Sequence, residues 1–238
     1  SFIYFTLLAR FIGVEQVGLY ITALSFSSLF SVLTDLGLNP VLIREGAKNN
    51  QSVAKVLGNI LTMKLFLVAM AYGILNLVVY SMGYGAALKE LILISGLIMV
   101  LDSFSLSFYG ALRSLQNLCF ESIGVVGGQL VTIMAGLAVL FFKGGVMFLL
   151  LALALGSLFN ALWGLSALVR HYHLWPRFFF TPELLKIIIR YAAPFALAGI
   201  FVKIYSYIDV VMLSKMLGNQ AVGLYGVAAK ITFAFQFI

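Results

Sequence analysis

The sequence predicts an all-α, polytopic membrane protein, and three observations carry that prediction. Apolar residues make up 63% of the 238 and charged residues only 10%, against roughly a quarter charged in soluble domains. No charge falls within residues 65–88, 122–142 or 144–169, and each stretch is long enough for the ~20 residues that cross the hydrocarbon as a helix. The runs are also unbroken, whereas the strands of a membrane barrel would be short and alternating.

Charge gaps read against turn signals place eight spans, at about 1–12, 18–37, 56–81, 88–112, 118–142, 145–169, 188–213 and 220–238. The first starts at Ser1 without an initiator methionine, and the last ends at Ile238 inside an apolar run, so both read as cut short and the chain as a fragment. The first span lacks the basic leader and small-residue cleavage site of a signal peptide. The second carries Ser28, Ser31 and Asp35 just before a break at Gly37 and Pro40. The fifth holds Gly124, Gly127 and Gly128, a patch that lets helices approach closely where lipid supplies no hydrophobic drive. Cys119 is the single cysteine, so no internal disulfide can form.

The longest connection, HYHLWPRFFFTPELLK from His171, mixes basic, aromatic and proline residues and suits a stretch lying at the membrane interface. It divides the chain into 1–170, a linker over 171–187, and 188–238. His171 and His173 lack a third ligand nearby in sequence, so interfacial histidines are the better reading than a metal site. Connections after spans two, four and six hold Arg44, Lys48, Lys55, Arg113, Arg170, Arg177, Lys186 and Arg190, against Arg10, Lys89, Lys143 and Lys215 on the other side. That asymmetry places the N-terminus in the cytoplasm. Headgroups and the insertion rule account for the net charge of +7, with no nucleic-acid partner needed.

An internal repeat is the most informative feature. LARFIGVEQVGLYITA from Leu8 aligns without gaps on LSKMLGNQAVGLYGVA from Leu213, matching Gly13 to Gly218, Arg10 to Lys215 and the block from Val17 to Tyr20 to that from Val222 to Tyr225. Six spans fit within the offset, so the two copies share an orientation, as in transporters built from two parallel lobes with the substrate held between them. A chance match in glycine-rich apolar sequence is the alternative.

The segments LLARFIGVEQVGLY from Leu7, TDLGLNPVLIREGAKN from Thr34 and YIDVVMLSKMLGNQAVGLY from Tyr207 resemble the polysaccharide and lipid-linked oligosaccharide flippases of the multidrug/oligosaccharidyl-lipid/polysaccharide exporter superfamily, along essentially the whole chain. The resemblance implies twelve to fourteen helices in two pseudo-symmetric six-helix lobes, of which this chain would hold one lobe, its first helix truncated, and the first two helices of the second. It also implies an undecaprenyl-diphosphate oligosaccharide as substrate, the bacterial or archaeal cytoplasmic membrane as location, a proton or sodium as coupling ion, and polysaccharide polymerase machinery as a further partner.

Ionisable residues at membrane depth mark candidate sites. Asp102 lies near the middle of span four, and Ser105, Tyr109 and Arg113 fall on nearly the same face at about 100° per residue. The stripe either lines a hydrophilic cavity or fixes packing. Lys203 sits deep in span seven between Gly199 and Tyr207, and Asp209 lies six residues on, projecting about 120° away, so the two cannot pair. Lys203 suits an acid of the opposite lobe such as Asp102, or a substrate phosphate. Asp35 closes the stripe of span two. Lys64 and Lys230 are weaker candidates, since lysine stems snorkel; Arg44 and Arg10 serve equally well as interfacial anchors, and Glu121 reads as a boundary residue.

No HExxH, GxSxG or P-loop occurs, so neither nucleotide hydrolysis nor a cofactor is expected. Three rivals to a flippase remain, the least specific being a structural membrane scaffold, against which the deep charges argue. A cation-coupled multidrug exporter of the same superfamily would use Asp102 and Asp35. A membrane glycan polymerase or ligase would need a large outer loop that no connection provides.

Overall fold

A computed structural model describes residues 9–49, 52–179 and 181–235, with side chains 183–185, 230, 231 and 233–235 outside the description. It is helical throughout, with α1 Val14–Asp35, α2 Leu38–Lys48, α3 Val53–Ser81, α4 Ala86–Ser114, α5 Cys119–Phe141, α6 Val146–Tyr172, α7 Pro182–Leu217 and α8 Asn219–Phe235. Residues 9–12 are helical too. Most of the first expected span, residues 236–238, Phe180 and the Lys230 side chain lie outside the described residues. Six helices are long and apolar enough to cross a membrane: α1, α3, α4, α5, α6 and the stretch Lys186–Leu217 of α7. The chain is a multi-pass membrane protein.

Two sequence expectations change. The basic stretch after span two, read as a connection, forms α2: Leu36 (φ 41°) and Gly37 (φ 77°) break α1 in left-handed conformation, and Pro40 sits in the first turn of α2, where its missing N–H is harmless. The stretch 171–187, read as a linker, is also helical at both ends. Helix α6 runs to Tyr172, and Pro182, in the first turn of α7, starts a helix of 36 residues. The non-helical remainder straps across α3: Phe179 N–H donates to the Gly58 carbonyl at 3.5 Å, Thr62 Oγ1 to the Phe179 carbonyl at 3.0 Å, and Thr181 N–H to Asn59 Oδ1 at 2.8 Å. Gly58 is required there, because a Cβ would overlap the Arg177 carbonyl oxygen.

The apolar interior falls into two clusters. One gathers Val17, Phe26, Leu75, Val79, Ile92 and Leu149 near the ends of the helices that meet at residues 82–85 and 142–145. The other gathers Leu42, Leu57, Ile60, Leu112, Leu168 and Ile188 at the opposite end. Between them lies a polar layer with Thr34, Lys64 and Ser103 buried. The outer surfaces of α5 and α6 expose Val126, Leu130, Met134, Phe141, Phe148 and Leu162, apolar side chains of the kind a lipid-facing surface carries.

Helix α1 is central, packing on α3, α4, α7 and α8. Its contact with α8 bears directly on the repeat. Gly13 and Gly218 adopt the same conformation, φ 81° with ψ 161° and φ 83° with ψ −179°, a region open essentially to glycine alone. Val17 and Val222 each donate one turn back, to the Gly13 and Gly218 carbonyls at 3.1 and 3.4 Å, and both side chains are fully buried. A Cβ on Gly18 would overlap the Asn219 carbonyl oxygen, and one on Gly223 would overlap that of Val14. Under the offset of 205 those two contacts are images of each other, so the α1–α8 pair is locally two-fold.

Candidate functional site

The polar layer opens into a cavity of about 560 Å³, bounded by α1, the α1–α2 turn, α4 and α7. Asp35, Asp102 and Lys203 line it, with Ser27, Ser28, Ser31, Thr34 and Ser103. The run SFSSLFSVLTD explains the α1 wall, because Ser27, Ser31 and Thr34 recur at i, i+4 and i+7 and so share a face. Wall and cation come from sequence-distant elements that meet only because α7 returns against α1. Gly37 sets that approach, since a Cβ there would come within 2.7 Å of the Ala192 carbonyl oxygen.

Behind the wall, Lys64 is 0% exposed; its Nζ donates to Asp35 Oδ1 at 2.9 Å and to the Ser103 carbonyl at 2.8 Å. Asp35, 18% exposed, also accepts from the Asn39 N–H at 3.2 Å. The pair ties α1, α2, α3 and α4 into one unit. Burial of an ammonium this deep is tolerated only with a paired acid and further acceptors. Lys64 is therefore spent on the wall and does not face the cavity. Lys203 does, with its ammonium 5.3 Å from the Tyr207 ring centroid. It takes part in none of the ion pairs found among the described residues.

The other sequence candidates lie elsewhere. Asp102 sits at the cavity beside Ser157 of α6, but the stripe below it is covered: Ser105 and Tyr109 are buried, and Tyr109 Oη donates to Asn160 Oδ1 at 2.8 Å. Gly164 lets α6 lie this close, with a Cβ there only 3.1 Å from that of Phe108. Arg113, at the end of α4, is paired with Glu121 of α5, its Nε at 2.7 Å from Oε2. Glu121, expected from the sequence as a boundary residue, is thus an ion-pair partner. Arg44 stacks its guanidinium 4.5 Å from the Tyr191 ring centroid, joining α2 to α7. Asp209, near the far end of α7, accepts from the Tyr225 hydroxyl and from the Val210 N–H at 2.8 Å. The structure thus brings together Asp35, Asp102 and Lys203, with Lys64 behind them. The sequence reading missed Ser27, Thr34 and Ser103; the i, i+4, i+7 spacing on α1 was the available signal for the first two.

Helical and multi-pass, the chain holds a charged cavity among helices long and apolar enough to cross a membrane. The fold is similar to a solved structure described as protein A, at 16% identity and a TM-score of 0.73, covering 98% of this chain and 57% of that one. It is also similar to an inward-facing conformation of a multidrug resistance MATE family transporter of the MOP superfamily, at 20% identity and a TM-score of 0.64, covering 92% and 53%. The chain therefore spans somewhat over half the length of these structures. No curated protein matches the sequence. The chain belongs to the polysaccharide biosynthesis protein family, whose model matches residues 1–238.

Proposed function

We propose that this chain is part of a flippase that moves a lipid-linked oligosaccharide, of the undecaprenyl-diphosphate type, from the inner to the outer leaflet of a bacterial cytoplasmic membrane. The observation that carries the reading is the charged cavity walled by α1 and α4 on one side and α7 on the other, with Lys203 as a cation that joins no ion pair among the described residues. Sugar and phosphate cross within the cavity while the isoprenoid tail stays in lipid. The lobe of residues 1–170 rocks against the one begun by 188–238, exposing the cavity to each side in turn, and the N-terminus faces the cytoplasm. Membership of a polysaccharide biosynthesis family supports the cargo, and a proton or sodium gradient is the energy source consistent with the missing nucleotide-binding motifs.

The test is deletion and restoration of the full-length gene, scoring surface polysaccharide and the lipid-linked precursor held on the cytoplasmic leaflet. Precursor accumulates in the deletion and is cleared by the wild-type gene but not by Lys203→Ala. Unchanged precursor with lost resistance to cationic drugs would establish the second reading, a multidrug exporter, which Asp102 at the cavity favours.

A further inference from the structure

The polar groups around the cavity are sorted by side. On α1, Ser27 Oγ donates to the Leu24 carbonyl at 3.0 Å, Ser31 Oγ to that of Ser28 at 2.7 Å, and Thr34 Oγ1 to that of Ser31 at 2.7 Å. A carbonyl only accepts, so each hydroxyl proton is committed to the helix and the lone pairs are what remains for a neighbour. Ser103 on α4 repeats the arrangement, donating to the Thr34 carbonyl at 3.5 Å. The Asp35 and Asp102 carboxylates add acceptors to the same wall, where Ser28 supplies a further, neutral hydroxyl able to donate or accept. Nothing on that wall offers a charged donor, because the Lys64 ammonium is fully buried behind it. Across the cavity α7 contributes the reverse, the Lys203 ammonium, whose donors have no acceptor among the ion pairs of the described residues.

From this sorting we infer that the cavity takes a two-ended ligand in a fixed orientation: a hydroxyl-rich sugar laid against the acceptor wall of α1 and α4, and an anionic phosphate held by Lys203 on α7. The inference rests on the flippase reading and adds which wall reads which part of the substrate. A sugar presents O–H donors that match lone pairs, and a phosphate presents only acceptors, which the α1–α4 wall repels. Because the walls belong to different lobes, only a ligand carrying both groups bridges them.

Full-length protein in nanodiscs tests this with three probes: a ten-carbon prenyl diphosphate monosaccharide, the same prenyl diphosphate without sugar, and an alkyl glycoside without phosphate. The two-ended probe binds about tenfold or more tighter than either half. Lys203→Gln weakens the two phosphate probes about tenfold and leaves the glycoside unchanged, while Lys203→Arg retains binding. Ser31→Ala with Thr34→Val weakens the two-ended probe and the glycoside and leaves the sugarless diphosphate unchanged. Should that double variant not fold, Ser27→Ala carries the same expectation at about threefold. Equal affinity for the sugared and sugarless diphosphates, or uniform weakening of all probes by the wall variants, overturns the inference and leaves the flippase reading standing. Binding of cationic dyes with no binding of either phosphate probe to wild type overturns both.

Discussion

Neutralising Asp35 should damage the protein far more than neutralising Lys64, although they are partners in one ion pair. At 2.9 Å and an effective dielectric of about 20, their attraction is roughly 6 kcal/mol, which offsets several kcal/mol of desolvation for each ion. Asp35→Asn preserves shape, but its single amide oxygen replaces only one of the two carboxylate oxygens that accept from Asn39 N–H and Lys64. It strands an ammonium that is 0% exposed, at a cost of about 3–5 kcal/mol. Lys64→Met strands a carboxylate that is 18% exposed to the cavity and keeps its Asn39 N–H, so water relieves much of the penalty and about 1–2 kcal/mol is expected. The double variant, with no buried charge left, should lie within about 1 kcal/mol of wild type, giving a coupling energy above about 2 kcal/mol. Steric trapping in bicelles reads these free energies, and thermal unfolding in detergent gives their order. Equal losses in the two single variants, or additive losses in the double, would refute the account of Lys64 as a wholly buried ion dependent on Asp35.

Further outcomes follow from the close contacts. Gly18→Ala and Gly223→Ala should each force α1 from α8 and destabilise by about 1–3 kcal/mol, whereas Gly73→Ala, with open space around its Cα, should be silent in the same unfolding assay. Gly58→Ala should lift the 173–181 strap, measured as faster tryptic cleavage at Arg177. Tyr109→Phe should lose about 1 kcal/mol with its bond to Asn160, without the loss of precursor clearance expected for Lys203→Ala. Arg113→Ala should change stability by under about 1 kcal/mol, since Arg113 is 36% exposed in its pair with Glu121, and should leave most export in place.

Much of the fold was legible because lipid makes helix length and charge spacing nearly decisive. The gaps at 65–88, 122–142 and 144–169 became the bodies of α3, α5 and α6. Less legible was α2, whose charged face reads as loop chemistry when the tertiary partners α3 and α4 are unknown. The extent of α7 was hidden because Pro182 looks like a breaker until it is seen to occupy the first turn. In the site, depth was readable but partnership was not. Lys64 and Lys203 look alike in sequence, and only packing buries one against Asp35 while leaving the other at the cavity. Tyr109 shares the helix face of Asp102, yet α6 covers it, because Gly164 permits an approach that no periodicity announces.

The mirrored contact of α1 with α8 also constrains how such a chain can have arisen. Along a two-fold line, equivalent positions face each other: Gly18 meets Gly223, and Ile21 meets Gly226. Were the two halves separate identical subunits, every residue on that line would confront its own twin, and only small residues could stand there without doubling any steric excess. The first of these pairs still obeys that restriction. The second does not: Gly226 makes room for the Ile21 side chain, a large-into-small fit that identical subunits could not encode. Within one chain each side of the axis can change alone, so the α1–α8 contact can be packed as a core.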